Sequence, residues 1–257
     1  MEYSKVFFNI NVQGDIVKKY IKHIIFVVIA IIITGVSIFR VSEVSQEAIN
    51  FMPITNKTIV LDAGHGGIDS GTSSDDKTIF EKDINLGITL KLKELIESSG
   101  GLVILTRDDD SSLYEESESK TIRQKYNENL KNRKKIVNES NADMFISIHL
   151  NYFTQSKYYG AQTFYQEGDS DGKVLAKCIQ DELKRVVNND NNRVIKPRNN
   201  LYLLKDCKIP SALIECGFLS NEKEAKLLSD EDYQEKIAWA IYAGIQKYFD
   251  ENENINN

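Results

Sequence analysis

Cysteine and proline are scarce in this 257-residue chain, with three residues of each, and acidic residues outnumber basic ones by 38 to 32. The three cysteines, Cys178, Cys207 and Cys216, are odd in number and lack the spacing of a disulfide scaffold. We therefore expect buried free thiols, with a Cys207 to Cys216 bridge as the alternative. A net charge of -6, without a basic stripe, argues against nucleic acid as a partner.

Long hydrophobic runs are also rare, and the exception is a run of uncharged residues at positions 24–39. As a helix it is roughly 24 Å long, and flanking basic side chains that reach the interface extend it toward the roughly 30 Å of a bilayer core. We predict a membrane anchor at 24–40 after a cytoplasmic segment at 1–23, because lysines precede it. No clear cleavage site follows, which favours an uncleaved anchor over a removed signal peptide. A buried core helix is the alternative.

The remaining residues have the composition of one globular domain, with 41% hydrophobic and 27% charged residues in the whole chain. Short apolar runs alternate with segments of helical period, which predicts an α/β fold. We expect a single, mostly parallel twisted sheet of about six strands with helices on both faces. The predicted strands are 58–63, 102–106, 144–149, 161–165, 201–204 and 211–216, and the helical stripes fall within 84–95, 130–137, 175–186 and 237–249.

This pattern assigns residues 41–56 to a linker, 57–249 to a catalytic domain and 250–257 to a disordered tail. The stretch 108–120 is acidic and almost without apolar residues, which predicts a solvated surface loop. A lid beside the active site is the alternative for this loop.

Only two histidines lie outside the apolar N-terminal segment, and both stand where a predicted strand ends. His65 follows the first strand in a glycine-rich turn, and His149 closes the third. Carboxyl ends of strands in an α/β sheet share one edge, so the two side chains are expected to meet there. Histidine is the commonest protein ligand of zinc, which makes this edge a candidate metal site.

Two glutamates are candidates for the rest of this site. Glu81 begins a helical stripe and is the best third ligand, although a first-turn glutamate also favours the helix dipole without any metal. Glu215 follows an apolar run at a strand end, where a carboxylate is unusual unless it is paired or functional. Strand alternation directs Cys216 to the opposite face, so a thiol ligand is not expected.

Five segments in this order closely resemble the zinc-dependent N-acetylmuramoyl-L-alanine amidases of the amidase-3 type. They are Leu-Asp-Ala-Gly-His-Gly-Gly at 61–67, Glu-Lys-Asp-Ile-Asn-Leu at 81–86, Leu-Thr-Arg at 105–107, Ala-Asp-Met-Phe-Ile-Ser-Ile-His-Leu-Asn at 142–151 and Ala-Leu-Ile-Glu-Cys-Gly-Phe-Leu-Ser-Asn at 212–221. The resemblance covers residues 57–249. It implies one Zn²⁺ per chain held by His65, Glu81 and His149, with Glu215 as the catalytic carboxylate.

The resemblance also implies the reaction, which is hydrolysis of the amide between N-acetylmuramic acid and L-alanine of peptidoglycan. Arg107 and Asn151 flank the expected pocket and are candidates for binding substrate. Arg133 fits a family pattern too, but a structural ion pair is the commoner role of a helix arginine. Asp62 is a candidate for orienting a ligand histidine.

An anchor joined to a bare catalytic domain looks most like the spore-cortex members of this family, whose action precedes muramic-δ-lactam formation. We therefore expect an exported or membrane-anchored protein in the forespore and cortex space of a Gram-positive spore-former, with peptidoglycan and the membrane as partners. The sequence does not identify an accessory protein. A zinc peptidase and a non-catalytic wall-binding protein are the alternatives. A carboxypeptidase-like His-x-x-Glu pair is absent, because position 68 is isoleucine.

Overall fold

The structure is a computed structural model, and it describes residues 20–40, 52–115, 117–187 and 190–256. Predictions for residues 1–19 and for 41–51, most of the linker, lie outside this part of the chain. The molecule divides into two units, Met1–Phe51 and Met52–Asn257.

The first unit contains one described helix, α1, at Tyr20–Arg40. It has a mean hydropathy of 2.5 over its most apolar part, and none of that part is buried. Its length and composition are sufficient to cross a membrane. The predicted anchor at 24–40 is therefore a helix whose apolar side chains are exposed, unlike those of a core helix.

The second unit is built on a six-stranded sheet of order β2-β1-β3-β6-β4-β5. The first four strands in this order are parallel, and β4 runs antiparallel to β6 while β5 is parallel to β4. The predicted α/β class with a mostly parallel sheet is confirmed. The strands are β1 Thr58–Ala63, β2 Leu102–Leu105, β3 Met144–Asn151, β4 Gln162–Gln166, β5 Lys196–Arg198 and β6 Ser211–Phe218; the helices are α2 Glu81–Ser98, α3 Ile122–Glu139, α4 Ser170–Val187, α5 Glu222–Leu228 and α6 Glu231–Asn256.

The two faces of the sheet are covered unequally. One face packs against α2, α4, α5 and α6 in the larger hydrophobic core. The smaller core on the other face contains Val137 of α3 together with Val60, Phe145 and Leu213. Alternation along β6 therefore places Glu215 on the same face as Leu213, the face with fewer helices.

Two predicted elements differ from the structure. Residues 201–204 are not a strand, because Leu204 N–H donates to Leu201 O at 3.1 Å and closes a turn. The buried Leu203 and Leu204 side chains instead cover the smaller core, and the edge strand is β5, an exposed Lys-Pro-Arg segment. The predicted tail at 250–257 is corrected as well. Helix α6 continues to Asn256, with Glu251 beside Cys178 of α4.

The three cysteines of this unit are as the sequence predicts. Cys178, Cys207 and Cys216 are free thiols, as expected, and no bridge joins the last two.

Within 108–120 the structure has bends and turns without regular elements, apart from position 116, which it does not describe. Asp110 of this loop accepts from Lys82 Nζ at 2.6 Å and from Gly67 N–H at 2.8 Å. The loop therefore braces the glycine-rich turn after β1.

Helix α3 begins at a capping box, which gives a direct stability test. The Thr121 hydroxyl accepts from Gln124 N–H at 3.3 Å, and the Gln124 side chain accepts from Thr121 N–H at 2.8 Å. Thr121→Ala removes one half of this exchange and is expected to destabilise the domain by about 1 kcal/mol. Urea unfolding measures this change in the free energy of unfolding. Thr154→Ala, at an exposed loop position, is the matched control, and equal effects of the two substitutions would contradict the capping role.

Candidate metal centre and catalytic carboxylate

Three side chains from distant parts of the sequence converge at the carboxyl edge of the sheet. His65 follows β1, Glu81 begins α2 and His149 lies near the end of β3. One ligand atom from each lies within 4.8 Å of the others. His65 Nε2 and His149 Nδ1 are each 3.2 Å from Glu81 Oε1, and the two rings are edge to face with centroids 5.1 Å apart. The structure therefore brings together the three predicted ligands.

The turn that presents His65 has an unusual backbone. His65 itself has a φ of 64°, in the left-handed region that a side chain other than glycine seldom occupies. Its carbonyl oxygen accepts a hydrogen bond from Arg133 of α3, which holds the turn in place. Two glycines leave room for the ligands, because a Cβ on Gly64 would clash with the His149 ring and one on Gly71 would lie 2.5 Å from Glu81 Oε2.

Asp69 orients the first histidine, a role that the sequence reasoning missed. Its Oδ2 is 2.9 Å from His65 Nδ1, which leaves Nε2 directed at Glu81. Burial lowers the pKa of His65, but hydrogen bonds and charges from Asp69 and Glu81 outweigh it and raise that pKa to about 10. The environment therefore attracts a cation at this position.

Glu81 is almost fully buried, and each of its two carboxylate oxygens accepts a hydrogen bond from the backbone. Its Oε1 accepts from Leu150 N–H at 2.9 Å, and its Oε2 accepts from Thr72 N–H at 2.8 Å. Asn85, one turn further along α2, donates to Gly64 O at 3.2 Å and more weakly to Glu81 Oε1 at 3.4 Å. Burial raises the pKa of Glu81, but the two histidines dominate and lower it, so the carboxylate is ionised.

Glu215 lies on β6 directly opposite His149 in the parallel pairing of β3 with β6. Its Oε2 is buried and has no hydrogen-bond partner among the described residues. Burial raises the pKa of this carboxyl group and Glu81 raises it further, against the lowering effect of His149, Arg198 and His65. A buried carboxyl oxygen without a partner normally costs stability, so it points to a functional role.

The donor set fits a catalytic zinc. Two imidazole nitrogens and one carboxylate oxygen form the three-ligand arrangement that leaves a fourth position for water or substrate. The side chains of His65 and His149 are 25% and 19% exposed, so the cluster is reached from solvent. Besides the three ligands, the site contains the Glu215 carboxyl oxygen Oε2, which has no hydrogen-bond partner among the described residues. Nitrogen ligands with one oxygen favour zinc over magnesium or calcium.

Three residues predicted around the site lie in different environments. Arg107 is buried, and its guanidinium donates to Ala63 O, Gly64 O, Lys82 O and Asp109 O, which gives it a structural role rather than contact with substrate. Asn151 is half-buried at the end of β3, and contact with substrate stays a prediction for it. Asp62 does not contact the histidines, since it accepts from Thr106, Ser147 and Arg133.

The match to a known family covers most of the second unit. The family described as N-acetylmuramoyl-L-alanine amidase, amidase-3, matches residues 59–247. A germination-specific N-acetylmuramoyl-L-alanine amidase of Bacillus subtilis is 42% identical over 200 residues, which are 78% of this chain and 83% of that protein.

Solved structures that resemble this chain are also amidases. The CwlD amidase from Clostridioides difficile, solved in complex with the GerS lipoprotein, is 75% identical with a TM-score of 0.74, and the match covers 75% of this chain and 98% of that one. An N-acetylmuramoyl-L-alanine amidase from Clostridium difficile 630 is 33% identical with a TM-score of 0.66, and the match covers 76% of this chain and 98% of that one.

Proposed function

Since the chain belongs to the amidase-3 family of N-acetylmuramoyl-L-alanine amidases, we propose that one zinc ion held by His65, Glu81 and His149 serves its amidase reaction. The bond cleaved joins the lactyl group of N-acetylmuramic acid to L-alanine of the stem peptide. The observation that carries this proposal is the convergence of three ligand atoms within 4.8 Å beside the unpaired carboxyl oxygen of Glu215.

Zinc at such a site polarises a carbonyl group and lowers the pKa of water toward about 7. The chain's own residues supply the proton transfers and the positioning. Glu215 Oε2 takes a proton from the attacking water and passes it to the leaving amine nitrogen of L-alanine. The raised pKa of Glu215 supports this role, because an acceptor that must later donate works best near the operating pH. Asp69 keeps His65 in the tautomer that directs Nε2 into the site.

Metal removal tests the ligand set. Dialysis against a chelator is expected to abolish amide hydrolysis, and stoichiometric zinc is expected to restore it with one ion per chain by elemental analysis. Binding also stabilises the fold by about 4 kcal/mol when free zinc exceeds the Kd a thousandfold, so Tm falls on removal. Glu81→Gln should lose zinc, whereas Glu94→Gln, at an exposed position of α2, should bind it normally. Full activity of the metal-free chain would contradict the proposal.

The substrate we propose is the peptidoglycan of the spore cortex. Support comes from similarity to a germination-specific amidase and from an N-terminal helix long and apolar enough to anchor an exported enzyme. The C. difficile relative was solved with a lipoprotein, and we propose an accessory lipoprotein for this chain as well. Export places the catalytic unit outside the cytoplasmic membrane, in the forespore and cortex space.

Product analysis separates the proposal from its alternatives. Purified enzyme should free N-terminal L-alanine from peptidoglycan, whereas release of terminal D-alanine alone would indicate a zinc peptidase. Binding without any product would indicate a wall-binding protein. Spores that lack this protein should lack muramic-δ-lactam, and normal levels of that lactam would refute the cortex assignment.

A further inference from the structure

The turn that carries the first metal ligand has a backbone that few sequences adopt. His65, Gly66 and Gly67 have successive φ angles of 64°, 127° and 57°, all of them positive. Glycine tolerates this region, but a histidine seldom occupies it, and such a conformation persists only where the surrounding structure fixes it. The contacts that hold this turn therefore decide where the His65 side chain lies.

Side chains from outside the turn fix its backbone at every residue. Six successive carbonyl oxygens, those of residues 63–68, each accept a hydrogen bond from a side chain. The donors are Lys82 and Asn85 of α2, Arg107, Ser112, and Tyr126 and Arg133 of α3. A turn with this many external partners is held rigidly, and part of its support comes from the acidic stretch that precedes α3.

This acidic stretch contacts the two glycines that follow His65. The Ser112 hydroxyl donates to Gly66 O at 2.6 Å. Asp110 Oδ1 accepts from Gly67 N–H at 2.8 Å, and its Oδ2 accepts from Lys82 Nζ at 2.6 Å. Lys82 Nζ also donates to Gly67 O at 3.1 Å. Both backbone groups of Gly67 are thus bound by one ion pair.

The same ion pair connects two of the three ligands. Lys82 directly follows Glu81 at the start of α2, and Gly67 lies two residues after His65. The ligand atoms His65 Nε2 and Glu81 Oε1 are 3.2 Å apart. We propose that Lys82 and Asp110 are positioning residues, which hold His65 against Glu81 before zinc arrives and thereby increase the affinity for zinc without contact with the ion.

This inference rests on the proposed metal centre, and the zinc affinity of the full-length, metal-free chain tests it. Zinc is titrated in competition with a chromophoric chelator. Asp110→Ala and Lys82→Met should each raise the Kd roughly tenfold, the lower end of the effect of residues that orient metal ligands. The two variants remove opposite charges, so a purely electrostatic effect would weaken binding in the first and strengthen it in the second. Weaker binding in both indicates positioning.

A double variant and a second ion pair complete the set. Lys82→Met combined with Asp110→Ala should raise the Kd by about the same factor as either change alone, because both act through one contact. Lys93 and Glu97 form an ion pair of the same 2.6 Å length, about 18 Å along α2 from Glu81 at roughly 1.5 Å per residue. Lys93→Met and Glu97→Ala are the matched controls and should bind zinc as wild type does.

Two further measurements separate positioning from loss of the fold. The Tm of the metal-free Asp110→Ala variant should stay close to that of wild type, because an exposed ion pair contributes little to stability. At saturating zinc its kcat should return to the wild-type value. An unchanged Kd in either single variant, tighter binding in Lys82→Met, or an equal loss in Lys93→Met would overturn the inference. Absence of zinc binding by wild type would instead refute the proposed metal centre.

Discussion

Glu215→Gln is expected to lower kcat by roughly 10²–10⁴-fold, the range associated with loss of a general acid-base group. The amide has nearly the shape of the carboxylate but cannot accept the proton from water. The carboxyl oxygen Oε2 is buried without a partner among the described residues, so no structural hydrogen bond there is lost in the variant. Activity is measured as release of N-terminal L-alanine from peptidoglycan.

Three measurements make this expectation specific. Zinc stoichiometry should stay at one per chain, because His65, Glu81 and His149 are unchanged. The unfolding midpoint should stay equal to or above that of wild type, since a neutral amide replaces a buried acid whose pKa is already raised. Glu94→Gln makes the same chemical change on an exposed face of α2 and should keep full activity. If Glu215→Gln were as active as wild type, the acid-base role would fail.

Strand periodicity predicted the sheet and the edge of it that holds the site. Apolar runs such as Thr58–Ala63 form buried strands, and the carboxyl ends of parallel strands meet wherever those strands lie in sequence. For this reason His65 and His149 were predictable as neighbours. Edge strand β5 was not, because Lys-Pro-Arg has none of the apolar signal of a buried strand, whereas the leucines at 201–204 have that signal but close a turn.

Side-chain partners of the site were less predictable than its ligands. Asp69 follows His65 by four residues in a loop, and no periodicity relates the two positions. Arg107 shows the same limit. Its sequence position favoured contact with substrate, yet its guanidinium is buried and donates to backbone carbonyl oxygens. This packing joins chain segments that are far apart in sequence, so the sequence alone could not reveal it.

Arg133→Met is expected to destabilise the fold by about 3–5 kcal/mol, the cost of removing one member of a buried ion pair. The Arg133 guanidinium donates to Asp62 Oδ1 and to Ala63 O, both at 2.7 Å, and both charged side chains are almost fully buried. Methionine fills much of the volume but leaves the Asp62 charge uncompensated. Urea unfolding measures the loss, and Arg123→Met at an exposed position of α3 should be close to neutral. A loss below about 1 kcal/mol would contradict this assignment.

The penalty should depend on pH in a definite direction. Burial raises the pKa of Asp62, but the Arg133 charge and the hydrogen bonds from Thr106 and Ser147 outweigh it and lower the pKa to about 2. In the wild type this pair therefore stabilises the fold above the unfolded pKa near 4, and the stabilisation is lost as pH falls toward 2. Without Arg133 the folded pKa of Asp62 rises, so acidification neutralises the unpaired charge.

The difference between wild type and Arg133→Met should consequently be largest at pH 7 and smaller at pH 4, and a difference that grows on acidification would contradict this account. Replacing Asp62 by asparagine in the same chain should recover part of the loss, because no buried charge remains. Zinc affinity supplies an independent measurement. The Arg133 guanidinium also holds the carbonyl oxygen of His65, whose backbone is in the left-handed region, so its removal should weaken zinc binding even where the variant is fully folded.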